Sequence, residues 1–570
     1  MLAPTSPPPT RPEDVDAAVS RVARQAHAFA QLPVREKARL VSEVRERFFE
    51  VAPASVRAAC NAKGIEFESP LAGEEWISGP VITLRALRHL EQTLGQIVRK
   101  GNTVLPRDAV GRLPDGRLRV SLAPLDFMDR LEIPRHRGEV HFLPDVSKER
   151  LEADRARFYK KPHAGQVWAV LGAGNINSIP PLDLLHALFV EGGVAVLKLN
   201  PVNAYLGPFL EEAFRPLVDA GFLAFVYGGA DVGERLVQNP AVHAVHITGS
   251  AKTYDAMVWG SPGALRETRK REGTPLLQKK VSAELGCVTP LIVVPGPYNT
   301  RELAQLAASV AGMLTFNAGY NCNAAKLLVT SQRWEAREHF LELVAEHLSR
   351  ATVRRAWYPG GKESFRAHTG GVGRTRIFGH AHEGELPFAF VTHLSPDDNA
   401  SVFSDEPWCG VLSEVALSAN GASAFLEAAV AFVNTRVWGN LSCGVMIHER
   451  VAKECARQGR YESALRALRY GTVAVNTWPA VGFALSTLPW GAHPTSSPQN
   501  IQSGMGYVHN SFMFEGIEKS VLQAPHFHMP LPIWTPGHAT LDQVGGHLVA
   551  LEHRVQLSRL ARLLGAAARA

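Results

Sequence analysis

Apolar residues near the start of the chain fall three and four apart. Val15, Val19, Val22, Ala26 and Phe29 mark one face of a helix capped at Asp14, and Pro33 interrupts the run before it resumes to about Phe49. Residues 70–100 repeat this texture, so a helical region is expected over 14–125. From Gln166 the period shortens. QVWAVLG (166–172), VAVLKL (194–199), FLAFVYG (222–228) and HAVHIT (243–248) read as strands with helices between them. A second series follows with LIVVP (291–295), KLLVT (326–330), FAFVTHL (388–394), VLSEVAL (411–417) and VAVNTW (473–478). Such alternation predicts parallel sheets with helices on both faces, here two consecutive α/β units meeting near residue 282.

The remaining segments have other textures. Residues 1–13 form a Pro-rich lead expected to be disordered, and 126–160 a charged, Pro-punctuated arm. The two α/β units occupy 161–282 and 283–490, followed by a closing segment, 491–530, and a tail, 531–570. Within the tail, Leu548, Leu551, Val555, Leu557, Leu560 and Leu564 predict one basic amphipathic helix over 541–564, docked on the body or on another subunit.

Composition excludes several classes. The 60 basic and 54 acidic residues are dispersed, with no basic block interleaved with aromatics, so no nucleic-acid partner is expected. The 6 cysteines show no paired CxxC spacing, which argues against a disulfide framework or structural zinc, and no metal site is expected. No signal-peptide order opens the chain and no uncharged run reaches spanning length, so a cytoplasmic protein without a membrane span is expected.

Two stretches carry chemistry. FNAGYNC (316–322) sets Cys322 on a Gly-containing turn after a helical run, flanked by Asn321 and Asn323. Thiolate is the attacking form of cysteine, and a polar, partly open setting that lowers the thiol pKa is expected here. AELGCVTP (283–290) brings Glu284 from a strand, too far along the chain for one helix face, so the pair must meet in three dimensions. A carboxylate there can take a proton from the thiol or from a water that cleaves a thioester.

These segments, in order over residues 160–520, resemble the aldehyde dehydrogenase superfamily. The resemblance implies a Rossmann-type NAD or NADP domain (161–282) plus an α/β catalytic domain (283–490), with the helical N-terminal region and an extra C-terminal helical tail as additions. GAGNINSIPP (172–181) is similar to the turn whose Asn completes the oxyanion hole, which selects Asn175, with Asn177 a short step away. In VAVLKLNP (194–201), Lys198 matches the adenosine-ribose ligand, while Pro201 replaces the glutamate that favours NAD, leaving coenzyme preference open. HITGS (246–250) places Gly249 and Ser250 against the coenzyme diphosphate. AELG puts Glu284 on the general base and FNAGYNC puts Cys322 on the nucleophile, with Cys287 and Tyr320 as departures. DEPWCGVL (405–412) places Glu406 on the nicotinamide ribose and Trp408 against the cofactor. The family's lysine after the Asn is absent; Leu184, Leu185 and His186 stand in that region, and His186 reads as a helix histidine.

The resemblance implies oxidation of an aldehyde to a carboxylic acid by a homodimer or homotetramer. A CoA-acylating dehydrogenase and an inactive cofactor-binding scaffold are the alternatives. Apolar and aromatic residues near 476–490 suggest an apolar or aromatic substrate.

Overall fold

The computed structural model describes residues 6–371 and 373–569. Pro12, whose fixed φ suits a first helical position, starts the first helix (Pro12–Ala23) with Arg11 as N-cap, so Asp14 lies inside the first turn, paired to Arg11 at 2.8 Å, and is not the cap. Of the 1–13 lead, residues 1–5 lie outside the described residues. Thr10 is bound to the body, its N–H donating to Tyr227 O and its hydroxyl accepting from Tyr227 N–H, both at 2.8 Å. Pro33 separates Ala26–Gln31 from Val34–Lys63, a helix that passes Phe49 and ends at Gly64 in the left-handed conformation.

The first α/β series forms a six-stranded sheet in the spatial order Gly504–Met505, Lys280–Leu285, Ala244–Gly249, Val167–Leu171, Val194–Lys198, Leu223–Val226. All neighbours are parallel except Gly504–Met505, which runs antiparallel to Lys280–Leu285. Strand order reverses at Val167–Leu171, so a crevice opens beyond its carboxyl end, where open α/β sheets take their ligands. The expected boundary near 282 cuts the strand Lys280–Leu285; the second sheet takes over at Thr289–Val293.

That second sheet has eleven strands. Six parallel strands, Thr472–Val475, Ser442–Met446, Thr289–Val293, Ala325–Ser331, Val411–Leu417 and Phe388–Leu394, form its centre. Ile517–Gln523 extends it in parallel, and Arg137–Phe142, Leu118–Ala123 and Val110–Arg112 follow antiparallel. Two expectations are corrected here. The region 14–125 is helical only to Lys100, and the stretch read as an arm, 126–160, contributes Arg137–Phe142 to the sheet of its own chain. Alternation explains the miss: Leu118, Val120 and Leu122 are buried every second residue, a period-2 signal too short to stand out beside long helices.

The tail is two helices, Leu541–His553 and Leu557–Ala567, not one. The break falls where His553 stacks on Phe49, centroids 4.0 Å apart, and its Nε2 meets Glu46 at 2.7 Å, so the chain turns back. Leu548 and Leu551 are buried while Leu557 and Leu564 remain exposed. The first tail helix packs against Gly73–Trp76 and Ile82–Lys100 of the N-terminal region. Among the described residues no helix is long and apolar enough to cross a membrane.

Candidate active site

The helix Thr300–Thr315 is started by a capping box, Asn299 with Glu302, and carries the chain into the loop at Phe316. Three successive residues there take left-handed conformations: Asn317 (φ 56°), Ala318 (φ 56°) and Gly319 (φ 80°). Such a backbone is costly for the first two and persists only where surroundings fix it. Those surroundings come from the N-terminal helices. Asn317 N–H donates to Glu74 Oε2 at 2.9 Å, and Lys63 Nζ donates to Asn317 Oδ1 at 2.9 Å while pairing with Glu75 at 2.8 Å. The Asn317 amide in turn reaches the carbonyls of Asn175 (3.1 Å) and Tyr320 (3.2 Å). From the other side Lys326 Nζ donates to Gly319 O and to Cys409 O. Gly319 is required twice, by its φ and because a Cβ there would lie 2.6 Å from Cys409 O.

The loop delivers Cys322, half-buried, with its thiol donating to Glu284 Oε1 at 3.5 Å. Glu284 is buried on its strand, and among the described residues its Oε2 has no hydrogen-bond partner. Burial, with the charge of Asp183 second, lifts the Glu284 carboxyl to about 7. The thiol behaves opposite to expectation. Burial and then the neighbouring Glu284 and Glu406 carboxylates push the Cys322 thiol well up, so the resting group is a neutral thiol and not a preformed thiolate.

Beside Glu284 lies a buried polar chain that the sequence does not announce. Thr248, its register partner on the adjacent strand, donates to Asp183 Oδ2 at 2.7 Å. His246 Nε2 lies 3.4 Å from Asp183 Oδ1, and its Nδ1 2.9 Å from Ser282 Oγ. His186 is half-buried with Nε2 3.8 Å from Glu191, and desolvation takes it down to about 4.

A cavity of about 1420 Å³ runs from Cys322 to the sheet's carboxyl edge, and Asn175, Lys198, Gly249, Ser250, Glu284, Cys322, Glu406 and Trp408 all line it. Asn177 does not line it; its amide turns to Glu75. Asn175 Nδ2 commits one N–H to Tyr320 O at 3.0 Å, which orients the amide beside the thiol. Ser250 caps the helix Ala251–Trp259 by accepting from Thr253 N–H at 3.1 Å, so that helix's N-terminus faces the cavity. Glu406 is half-buried against Gly286, where a Cβ would fall 2.0 Å from its Oε2, and desolvation raises its carboxyl to about 8.

The aromatic walls are Tyr358, Trp408 and Trp438. The aromatic residues of 476–490 are elsewhere: Trp478 donates to Asn323 O behind the loop, and Phe483 packs on Trp490 in the core, so the apolar-substrate suggestion loses its basis. Sequence reasoning also passed over Lys63, Glu74, Glu75 and Lys326. The one signal was Asn317 in FNAGYNC, an amide that had to be satisfied inside a turn.

The strand-end cavity, the helix end that opens on it and the paired thiol and carboxyl make a Rossmann-type candidate site built around a cysteine. Comparison with known proteins adds a family likeness. Residues 148–360 match the aldehyde dehydrogenase family. N-succinylglutamate 5-semialdehyde dehydrogenase of Sphingopyxis alaskensis is 25% identical over 200 residues, 34% of this chain and 38% of that protein. The corresponding protein of Klebsiella pneumoniae is 26% identical over 389 residues, 65% of this chain and 70% of its own length. The match to the first therefore spans well under half of that relative. NADP-dependent glyceraldehyde-3-phosphate dehydrogenase from Bacillus halodurans, solved with NADP, shares the fold at 15% identity and a TM-score of 0.59, covering 90% of this chain and 92% of that one. Residues 148–360 are thus similar to the aldehyde dehydrogenase family, and the chain shares the α/β fold of solved aldehyde dehydrogenases.

Proposed function

We propose that this protein oxidises an aldehyde to a carboxylic acid with NAD or NADP, through a thiohemiacetal and then a thioester on Cys322. The observation that carries this reading is the Cys322 thiol, bonded at 3.5 Å to Glu284, in the cavity that the coenzyme-side residues also line.

The residues present fit a dinucleotide. Glu406 Oε1 and Trp408 Nε1 are buried polar atoms without protein partners, and the capped helix end at Ser250 supplies N–H donors for a diphosphate. Lys198 and Glu406 would hold the two riboses, and Gly249 and Ser250 the diphosphate. When bound, the coenzyme supplies the acceptor for the hydride that leaves the substrate carbon.

The chain's own groups do the rest. Glu284 accepts the thiol proton as Cys322 adds to the aldehyde carbon, which answers the high thiol pKa: the thiolate is generated at the moment of attack. The second N–H of the Asn175 amide and the backbone N–H of Cys322 hold the developing oxyanion. After hydride loss, Glu284 releases the thiol proton to solvent and takes a proton from water, the hydroxyl adds to the thioester carbon, and the acid leaves as that second proton returns from Glu284 to the thiol. Burial keeps Glu284 near neutrality, where a base of this kind works best.

The test is NAD(P)H formation by purified protein against short, long and aromatic aldehydes, with each coenzyme and with and without coenzyme A. Turnover without coenzyme A, lost in Cys322→Ala, supports the proposal. Turnover only with coenzyme A, or coenzyme binding without turnover of any aldehyde, overturns it.

A further inference from the structure

Outside the catalytic cavity, three segments remote in sequence bring nitrogen and oxygen donors to one point. Glu302 sits in the first turn of Thr300–Thr315, His448 follows the strand Ser442–Met446, and His526 follows the strand Ile517–Gln523. One donor atom from each lies within 4.8 Å of the others. His526 Nε2 is 3.0 Å from Glu302 Oε1, His448 Nε2 is 3.7 Å from Glu302 Oε2, and the two imidazole centroids are 4.4 Å apart. We propose that Glu302, His448 and His526 form a zinc site that clasps the segment after Gln523 onto the helix leading to the nucleophile loop.

The donor chemistry fits this ion. Two imidazoles and a carboxylate suit zinc, and three protein ligands leave the fourth tetrahedral position to water. The carboxylate is aimed beforehand: Oε2 accepts from Asn299 N–H at 2.8 Å, which presents Oε1 to His526. Both imidazoles are partly withdrawn from water, with side chains about 8% and 13% exposed, so an ion between them would be shielded from bulk solvent.

Two hydrogen bonds must change: His526 Nε2 and Glu302 Oε1, now bonded at 3.0 Å, would each turn to the ion, and the His448 cap would be given up. His448 Nδ1 accepts from Arg450 N–H at 3.1 Å as an N-cap, so its ring proton is on Nε2; ligation through Nε2 moves that proton to Nδ1 and gives up the cap. A helix cap is a small loss beside a zinc–imidazole bond.

The surroundings give the clasp a purpose. Beyond His526 the chain follows one face of the same helix: Gln305 and His528 exchange two hydrogen bonds, Gln305 Nε2 to His528 O at 2.8 Å and His528 N–H to Gln305 Oε1 at 2.7 Å, and Trp534 Nε1 donates to Ser309 Oγ at 2.9 Å. A metal at Glu302 would lock the head of this strap.

The experiment is zinc titration by calorimetry and metal analysis of the full-length chain after chelator dialysis, beside melting curves with zinc or chelator. The variants are His526→Ala, His448→Asn, which keeps an N-cap acceptor without an imidazole, and Cys322→Ser, which removes the other plausible zinc-binding group. About one zinc per chain, retained in Cys322→Ser and weakened at least tenfold in both histidine variants, is the expected result. The melting temperature should then fall with chelator in the parent and not in those variants. His526→Gln replaces His526→Ala if the alanine protein does not fold. Failure to bind zinc, binding unchanged in the histidine variants, or binding lost with Cys322 overturns the proposal. None of these readouts depends on dehydrogenase activity.

Discussion

The two ends of the catalytic cavity are built differently. At the end proposed for the coenzyme, Lys198, Gly249 and Ser250 sit at carboxyl ends of parallel strands, and the sheet itself aims them. At the chemical end, Cys322 hangs from a loop with two non-glycine residues in left-handed conformations, held by a buried shelf of Lys63, Glu74 and Glu75 from the N-terminal helices. The first arrangement is local and follows from topology. The second depends on groups more than 240 residues away, so geometry at the nucleophile is a tertiary property that a few buried charges decide.

This contrast can be broken first at the thiol. Cys322→Ala should abolish turnover while coenzyme affinity, measured by fluorescence quenching, stays within about twofold, because the two ends are separately supported. Glu284→Gln should lower steady-state turnover by about 10²–10⁴-fold, the usual worth of a positioned base. A pre-steady-state trace should show whether attack or hydrolysis suffers more.

Next comes the shelf. Lys63→Ala strands the buried Glu75 carboxylate and an acceptor on Asn317, and should cost about 3–5 kcal/mol in denaturant unfolding. Conversion to Met removes the charge with similar volume and should show the same direction. Both should accelerate labelling of Cys322 by iodoacetamide as the loop loosens. A merely distant stabilising role would leave labelling unchanged.

A subtler lever is the pH dependence. Glu284 is active as carboxylate, and burial together with Asp183 holds its pKa up to about 7, so turnover should rise as pH increases through about 7. Asp183→Asn removes a repelling negative charge and should move that limb to lower pH; an unmoved limb would separate Asp183 from the base. At the coenzyme end, Ser250→Ala removes one N-cap bond and should cost about 1 kcal/mol in stability, the smallest effect in the series.

The same contrast governs what could be read from the chain. The strand–helix alternation from Gln166 and the motif residues were legible because each is local: a period, a turn residue, a short spacing. All eight residues so chosen line one cavity. The shelf was illegible because Lys and Glu on an amphipathic helix look like a solvated face; nothing local says that Lys63 and Glu75 are buried. Asp183 and His246 hid for the same reason. The environment of Cys322 was misjudged because flanking asparagines suggest an open site, whereas both are buried and the Asn321 amide donates to Phe316 O. The arm was misplaced because proline and charge mark irregular chain, and its strand, Arg137–Phe142, is recognisable only from its pairing with Ile517–Gln523.

The central claim is that Cys322 and Glu284 act in sequence on one carbon. It is tested most directly by intact-protein and peptide mass spectrometry of Glu284→Gln mixed with an accepted aldehyde and its coenzyme, quenched in acid. The account predicts an acylated peptide holding Cys322, its mass raised by that of the aldehyde less two hydrogens, formed only with oxidised coenzyme. Turnover of that aldehyde by the parent protein with no acyl adduct on Cys322 in either protein would contradict it.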